Sequence, residues 1–220
     1  MTEENNYTGM DQNEFMKRMK AIATDLWGGI APAEDAAPKS AAPKKEAMRE
    51  PEKMKDEIQS IWKTADETID WTDALAHSTP TDGLTGPRMW AFYHKHAPKV
   101  LAGDLSAYTE VLQKANPLGE LTEHAENITM CAPSQDRLES TFVCRKELLA
   151  KNRKLYLSAM GLRIARDLLA CLPVEEVTVT GKDGETTIFN ATYTRQKLLH
   201  RNFAFTDPAK LAEECGAVFD

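Results

Sequence analysis

Glycine is scarce in this chain, 11 of 220 residues, and the glycines do not cluster. Neither G-x-G-x-x-G nor G-x-x-x-x-G-K-[ST] is present, so no loop of the kind whose backbone N–H groups cradle a phosphate is indicated. G-x-S-x-G and H-E-x-x-H are missing too, which excludes the common serine-hydrolase and zinc-protease signatures. Cysteine is rarer still. Cys131, Cys144, Cys171 and Cys215 stand far apart, with no Cys-x-x-Cys pair and no histidine at ligand spacing. Neither a zinc site nor a disulfide framework is indicated, and reduced, mostly buried thiols are expected.

Long apolar runs are lacking. No stretch approaches the ~20 residues that span a bilayer, and the first ten residues, MTEENNYTGM, are acidic and polar, without the apolar centre of a secretory leader. The expectation is a cytoplasmic protein with no membrane contact, no metal and no cofactor. An excess of cations is lacking as well, since the net charge is -7. A wholly electrostatic binder of nucleic acid or anionic membrane needs the opposite sign to release counterions. What is present is 42% hydrophobic content over 220 residues, enough for one domain with a real core plus an appendage.

The appendage comes first. Asp11 and Glu14 have the spacing of a capping box, and Phe15, Met19, Ile22 and Leu26 recur at helical spacing until Gly28 and Gly29 end the pattern. Residues 1–29 therefore read as an arm with a short amphipathic helix. Residues 30–50 are rich in Ala, Pro, Lys and Glu and nearly devoid of large apolar side chains, a composition that cannot repay the entropy of ordering, so they read as a flexible linker. An isolated helix this short is marginal in water. It either docks on its own domain or is presented to the groove of a protein partner, with Phe15, Met19, Ile22, Leu26 and Trp27 as anchors.

Residues 51–220 read as a single α-rich α+β domain. Pro51 suits a first helical position, and Met54, Ile58, Ile61, Trp62, Ala65 and Ile69 share one helical face. An aromatic helix follows over 89–97, then one begun by Asp104 and ended at Asn116-Pro117, then a weaker helix and an irregular segment through 133. The centrepiece is a continuous helix from Ser134 to Pro173, about 55 Å long at the helical rise. Its apolar face changes sides near Gly161: Leu155, Tyr156 and Met160 lie on one face, and Ile164, Leu168 and Leu172 on nearly the opposite one. No proline interrupts it, so the reading is a straight helix running between two layers, with Gly161 permitting a close backbone approach.

After Pro173, Val177 and Val179 alternate with threonines, and a turn at 181–184 leads to a β-branched and aromatic run over 186–193. This is read as the one β-hairpin. Its open edges invite a further strand from elsewhere in the chain or from a second copy, which makes a homodimer through the hairpin edge possible. Two short helices, capped by Thr194 and by Asp207-Pro208, complete a predominantly α-helical α+β domain.

Two sets of residues are candidates for chemistry. Between 136 and 201 there are 12 Lys and Arg against 8 Asp and Glu. Arg145, Lys146, Arg153 and Lys154 are the cations a nucleic acid would meet, although they spread around the helix axis and no helix-turn-helix or RNP pattern accompanies them. His94 and His96 lie two positions apart, about 200° around a helix, so they cannot share a metal there. A catalytic site assembled near them, with Arg163 and Asp167 contributing, is the enzyme reading. The preferred reading is a non-enzymatic interaction or accessory protein that uses the tethered helix and the hairpin edge. Nucleic-acid association and an unrecognised enzyme site are its rivals.

Overall fold

In the computed structural model, which describes residues 57–199 and 201–220, the stretch 125–144 is a pair of strands. Strand β1 (Ala125–Ser134) and strand β2 (Arg137–Cys144) pair antiparallel. β2 then lies parallel to β3 (Glu176–Asp183), and β3 pairs antiparallel with β4 (Thr186–Thr194). The short β5 (Val218–Phe219) joins β4 at Phe189 and Asn190. The result is a five-stranded mixed sheet in the order β1-β2-β3-β4-β5, and half of the described residues are helical. The fold is α+β without helix dominance, which corrects the predominantly helical expectation.

The physical reason lies in the inward set of β2. Leu138, Ser140, Phe142 and Cys144 are buried and alternate with half-buried Arg137, Glu139, Thr141 and Val143. A serine on the inner face and a valine on the outer one blur the period-2 hydrophobic pattern that would announce a strand. Ser140 is tolerated inside because its hydroxyl donates to Thr129 O at 2.9 Å. Long-range pairing then decides between helix and strand.

The hairpin 176–194 stands where expected, but its edges are occupied. β3 is paired along its length by β2, and β5 covers part of β4. Strands from elsewhere in the chain, one of the two sources expected, thus lie at both edges of the hairpin, β5 meeting β4 at Phe189 and Asn190. Among the described residues the outer edge of β1 has no strand beside it.

Helices α1 (Trp71–Ala76), α2 (Pro87–Leu101) and α3 (Leu105–Ala115) precede the sheet. Asp70 and Asp104 cap α1 and α3 by accepting two backbone N–H groups each. The helix expected across 51–69 is helical only over 57–61 among the described residues, and 64–70 form neither helix nor strand. The crossover from β2 to β3 is made by α4 (Lys146–Lys151) and α5 (Arg153–Cys171), since parallel neighbours cannot be joined by a tight turn. The continuous helix 134–173 is thus a strand and two helices separated at Asn152, whose side chain caps α5 by accepting from Leu155 N.

Within its true limits α5 runs unbroken through Gly161 and, beyond its exposed first turn, is buried all round, with Tyr156, Met160, Ile164, Ala165 and Leu168 all at 0% exposure. It packs on the sheet through Gly161, which faces Phe189 and Tyr193 of β4. Helices α6 (Arg195–Leu198) and α7 (Pro208–Glu214) are capped by Thr194 and Asp207 as expected. The arm 1–29, the linker 30–50 and residues 51–56 lie outside the described residues.

Candidate functional site

Gly161 and Arg163 are about 200° apart around α5, so the glycine meets the sheet and the arginine points to the opposite side. Arg166 and Asp167 follow on that outer side at i+3 and i+4. A helix buried on all sides has nowhere to solvate these charges, and the chain 61–71 is laid along the helix to receive them. Arg163 Nη1 donates to Thr64 Oγ1 at 2.5 Å, and Arg166 Nη1 donates to Trp62 O and to Thr64 O. Asp167 Oδ1 accepts from Asp66 N at 2.9 Å. Ile69 N donates to Ala170 O and Trp71 Nε1 to Cys171 O, which carries the strap to the end of the helix.

Arg163 is the centre of this seam. Its side chain is 5% exposed, and Nε meets Asp167 Oδ2 at 2.6 Å while Nη2 meets Glu120 Oε2 at 3.2 Å. Asp167 is fully buried, and that burial pushes its carboxyl up to about 6 even with the guanidinium and the Asp66 N–H against it. Beside the pair is a cavity of about 430 Å³ bordered by Ser60, Thr64, Glu120, Glu123, His124 and Arg163. His124 Nδ1 lies 3.6 Å from Glu57 Oε1 and has no hydrogen-bond partner, while the backbone carbonyl of His124 accepts from Tyr156 Oη at 2.6 Å.

Chemically this arrangement compensates charge and ties backbone in place. Ser60 Oγ donates to Glu57 O at 2.7 Å, which leaves the hydroxyl bonded away from the imidazole of His124. Among the described residues of this seam no nucleophile–base hydrogen bond of the kind that activates an attacking oxygen is formed. The buried thiols are not thiolates either, since burial pushes Cys144 and Cys171 up to about 12 and Cys215 upward. No group of His, Cys, Asp and Glu among the described residues is disposed to hold a metal ion.

The two histidines of the enzyme reading are engaged separately. His94 Nδ1 bonds Ala74 O at 2.7 Å. His96 bonds Phe92 O and Glu110 Oε2, both at 2.8 Å, with its ring 4.1 Å from that of Phe92. No contact links either to the Arg163–Asp167 pair.

Of the cations proposed for nucleic acid, Arg145 donates to Thr122 O at 2.9 Å and to Ala125 O at 3.4 Å, which fixes the entry of β1. Lys154 pairs with Glu213 and lies 5.5 Å from the ring centre of Phe219. Lys146 and Arg153 have no such partner among the described residues. Phe15, Met19, Ile22, Leu26 and Trp27 lie outside the described residues.

Glu120, His124 and the strap 61–69 carry no local signal that marks them. Glu120 and Arg163 are 43 positions apart, and only the i, i+4 spacing of Arg163 and Asp167 is visible along the chain. No family model matches the chain, and comparison with curated proteins and with solved structures finds no match either.

Proposed function

We propose that this chain is a non-enzymatic interaction protein of the cytoplasm. Residues 57–220 form its rigid support, and the amphipathic segment with Phe15, Met19, Ile22, Leu26 and Trp27 is its partner-binding element. One observation carries the reading: the ionisable side chains of the polar seam are spent on the protein's own backbone and on each other, with Arg163, Arg166 and Asp167 all bound to the strap 61–66. A helical face of alternating anchors, at i, i+4, i+7 and i+11, is the form in which such a segment enters a partner's apolar groove.

The domain supports the reading in two further ways. Its four thiols are free, and no helix among the described residues is long and apolar enough to cross a membrane. A second copy of the chain as partner would find an unpaired strand edge at β1 among the described residues.

The test is crosslinking of the full chain in the cells that make it, followed by purification with the changes Phe15→Ser, Ile22→Ser and Leu26→Ser together. Crosslinks from the arm to a defined protein, lost in the triple variant while the melting temperature of the domain stays the same, are the expected result. Retention of the same partner by the variant would refute the role of the segment.

A further inference from the structure

A second cavity, of about 240 Å³, opens beside the strap where α5, α6 and the chain after α6 meet. Three arginines from three elements border it: Arg166 on α5, Arg195 at the start of α6, and Arg201. Each is held by backbone. Arg166 Nη1 bonds Trp62 O and Thr64 O. Arg195 Nε bonds Val174 O at 2.9 Å, and its Nη2 bonds Leu169 O and Leu172 O at 2.8 Å each. Arg201 Nε bonds Lys197 O at 3.0 Å.

These bonds fix the guanidiniums without neutralising them. Arg201 has a carboxylate partner, Glu214, at 2.6 Å. Among the described residues neither Arg166 nor Arg195 has a carboxylate within ion-pair distance, and burial pushes both guanidiniums downward. The one acid on the cavity wall is Asp66, and among the described residues it forms no ion pair with any of the three arginines. Each guanidinium has five N–H groups in a planar fork. The second terminal nitrogen of Arg166 and the first of Arg195 are left without a protein partner among the described residues.

Apart from Thr68 the rest of the wall is apolar, and the mouth is open to solvent. Leu199 is 54% exposed, and the guanidinium carbon of Arg166 lies over the ring of Phe203, 3.8 Å from its centre. Stacking of this kind holds a guanidinium in plane and leaves its edge free to donate. Fixed guanidinium donors without a directly paired carboxylate, beside an apolar wall, are together what recognises an anion carried on a hydrocarbon body. The volume is below the roughly 300 Å³ at which pockets for drug-sized ligands begin, so the occupant is compact.

We propose that this cavity is a receptor for a compact organic oxyanion, a carboxylate or phosphate monoester, gripped by Arg166 and Arg195 with its short apolar group against Leu199 and Phe203. The shared chemistry is a planar or tetrahedral oxyanion accepting from guanidinium edges.

The experiment is a chemical-shift titration of the isotope-labelled full chain with hexanoate, hexyl phosphate, acetate and inorganic phosphate. Saturable shifts confined to the backbone around Leu169, Arg195, Leu199 and Phe203 are expected with one or both hexyl compounds, at least about tenfold tighter than with acetate or inorganic phosphate. Whichever hexyl compound binds more tightly identifies the headgroup. Arg166→Gln is expected to weaken binding by about tenfold or more.

Leu199→Asp provides a second arm, because it places a carboxylate at an exposed position on the mouth, and an equal or greater loss is expected with the melting temperature unchanged. Absence of saturation by about 10 mM, shifts scattered over the surface, equal binding of the small inorganic anions, or unaltered affinity in Leu199→Asp would each overturn the proposal.

Discussion

The backbone of Gly161 lies directly against the ring of Phe189: a Cβ at position 161 would stand 2.7 Å from Phe189 Cε1 and 2.8 Å from Tyr193 Oη. Both rings are buried, at 1% and 0% exposure, so neither can swing into solvent. Gly161→Leu is therefore expected to destabilise the domain by about 1–3 kcal/mol through overpacking, in spite of leucine's better helix propensity. Urea denaturation of the variant measures it. The loss should shrink when Phe189→Leu is added, because the second change vacates the space that the first one needs.

Removing one partner of the Arg163–Asp167 pair leaves the other charged and enclosed. Arg163→Met is expected to cost about 3–5 kcal/mol, whereas Arg163→Met with Asp167→Leu should recover much of that loss. Glu120→Gln, whose side chain is 80% exposed, should cost less than about 1 kcal/mol. The ordering of the three by denaturation midpoint is the check. A Glu120 variant as damaging as the Arg163 variant would contradict the description of the seam.

Asp167 also sets a pH dependence. Its folded carboxyl lies near 6, above the unfolded value of 3.8, so between these limits the folded state binds more protons than the unfolded chain. Its contribution to stability therefore falls as pH rises from about 4 to about 6 and levels off above. The stability of the natural chain minus that of Asp167→Asn should decline across this window, with a slope no steeper than about 1.4 kcal/mol per pH unit. Burial moves Asp66 in the same direction, so a smaller decline should persist in Asp167→Asn itself. A difference that is flat or rises between pH 4 and 6 would show that Arg163 dominates over burial.

Tyr156 joins the crossover to the sheet with one oxygen, donating to His124 O at 2.6 Å and accepting from Arg145 N at 3.2 Å. Its side chain is fully buried, and burial raises the phenol pKa far above its ordinary value. Tyr156→Phe should cost about 1–3 kcal/mol because it leaves a part-buried N–H and a carbonyl without their partner. Hydrogen exchange should quicken at Arg145 and around 122–125 while the amides of β3 and β4 keep their protection.

How much of this was legible along the chain differs element by element. The expected change of buried face is replaced by a helix buried all round from Tyr156 on, whereas the caps at Asp104, Thr194 and Asp207, the hairpin 176–194 and the close approach at Gly161 are all readable. Each depends on residues within a few positions of one another. The strap 61–69 was misread as helix because Ile61, Ala65 and Ile69 keep helical spacing, yet the side chains of Arg163, Arg166 and Asp167 offer that segment hydrogen bonds about a hundred positions away.

By itself, then, the amino-acid order determined where the chain turns, where several helices are capped and where a glycine admits a close neighbour, since capping, turn chemistry and glycine sterics are local interactions. Only the tertiary structure decided that 125–144 is strand, that β2 lies parallel to β3, and that three arginines converge on one cavity. Strand formation takes its free energy from a partner strand and a covering face, and a guanidinium's role depends on which carbonyls and carboxylates long-range packing brings within about 3 Å of it.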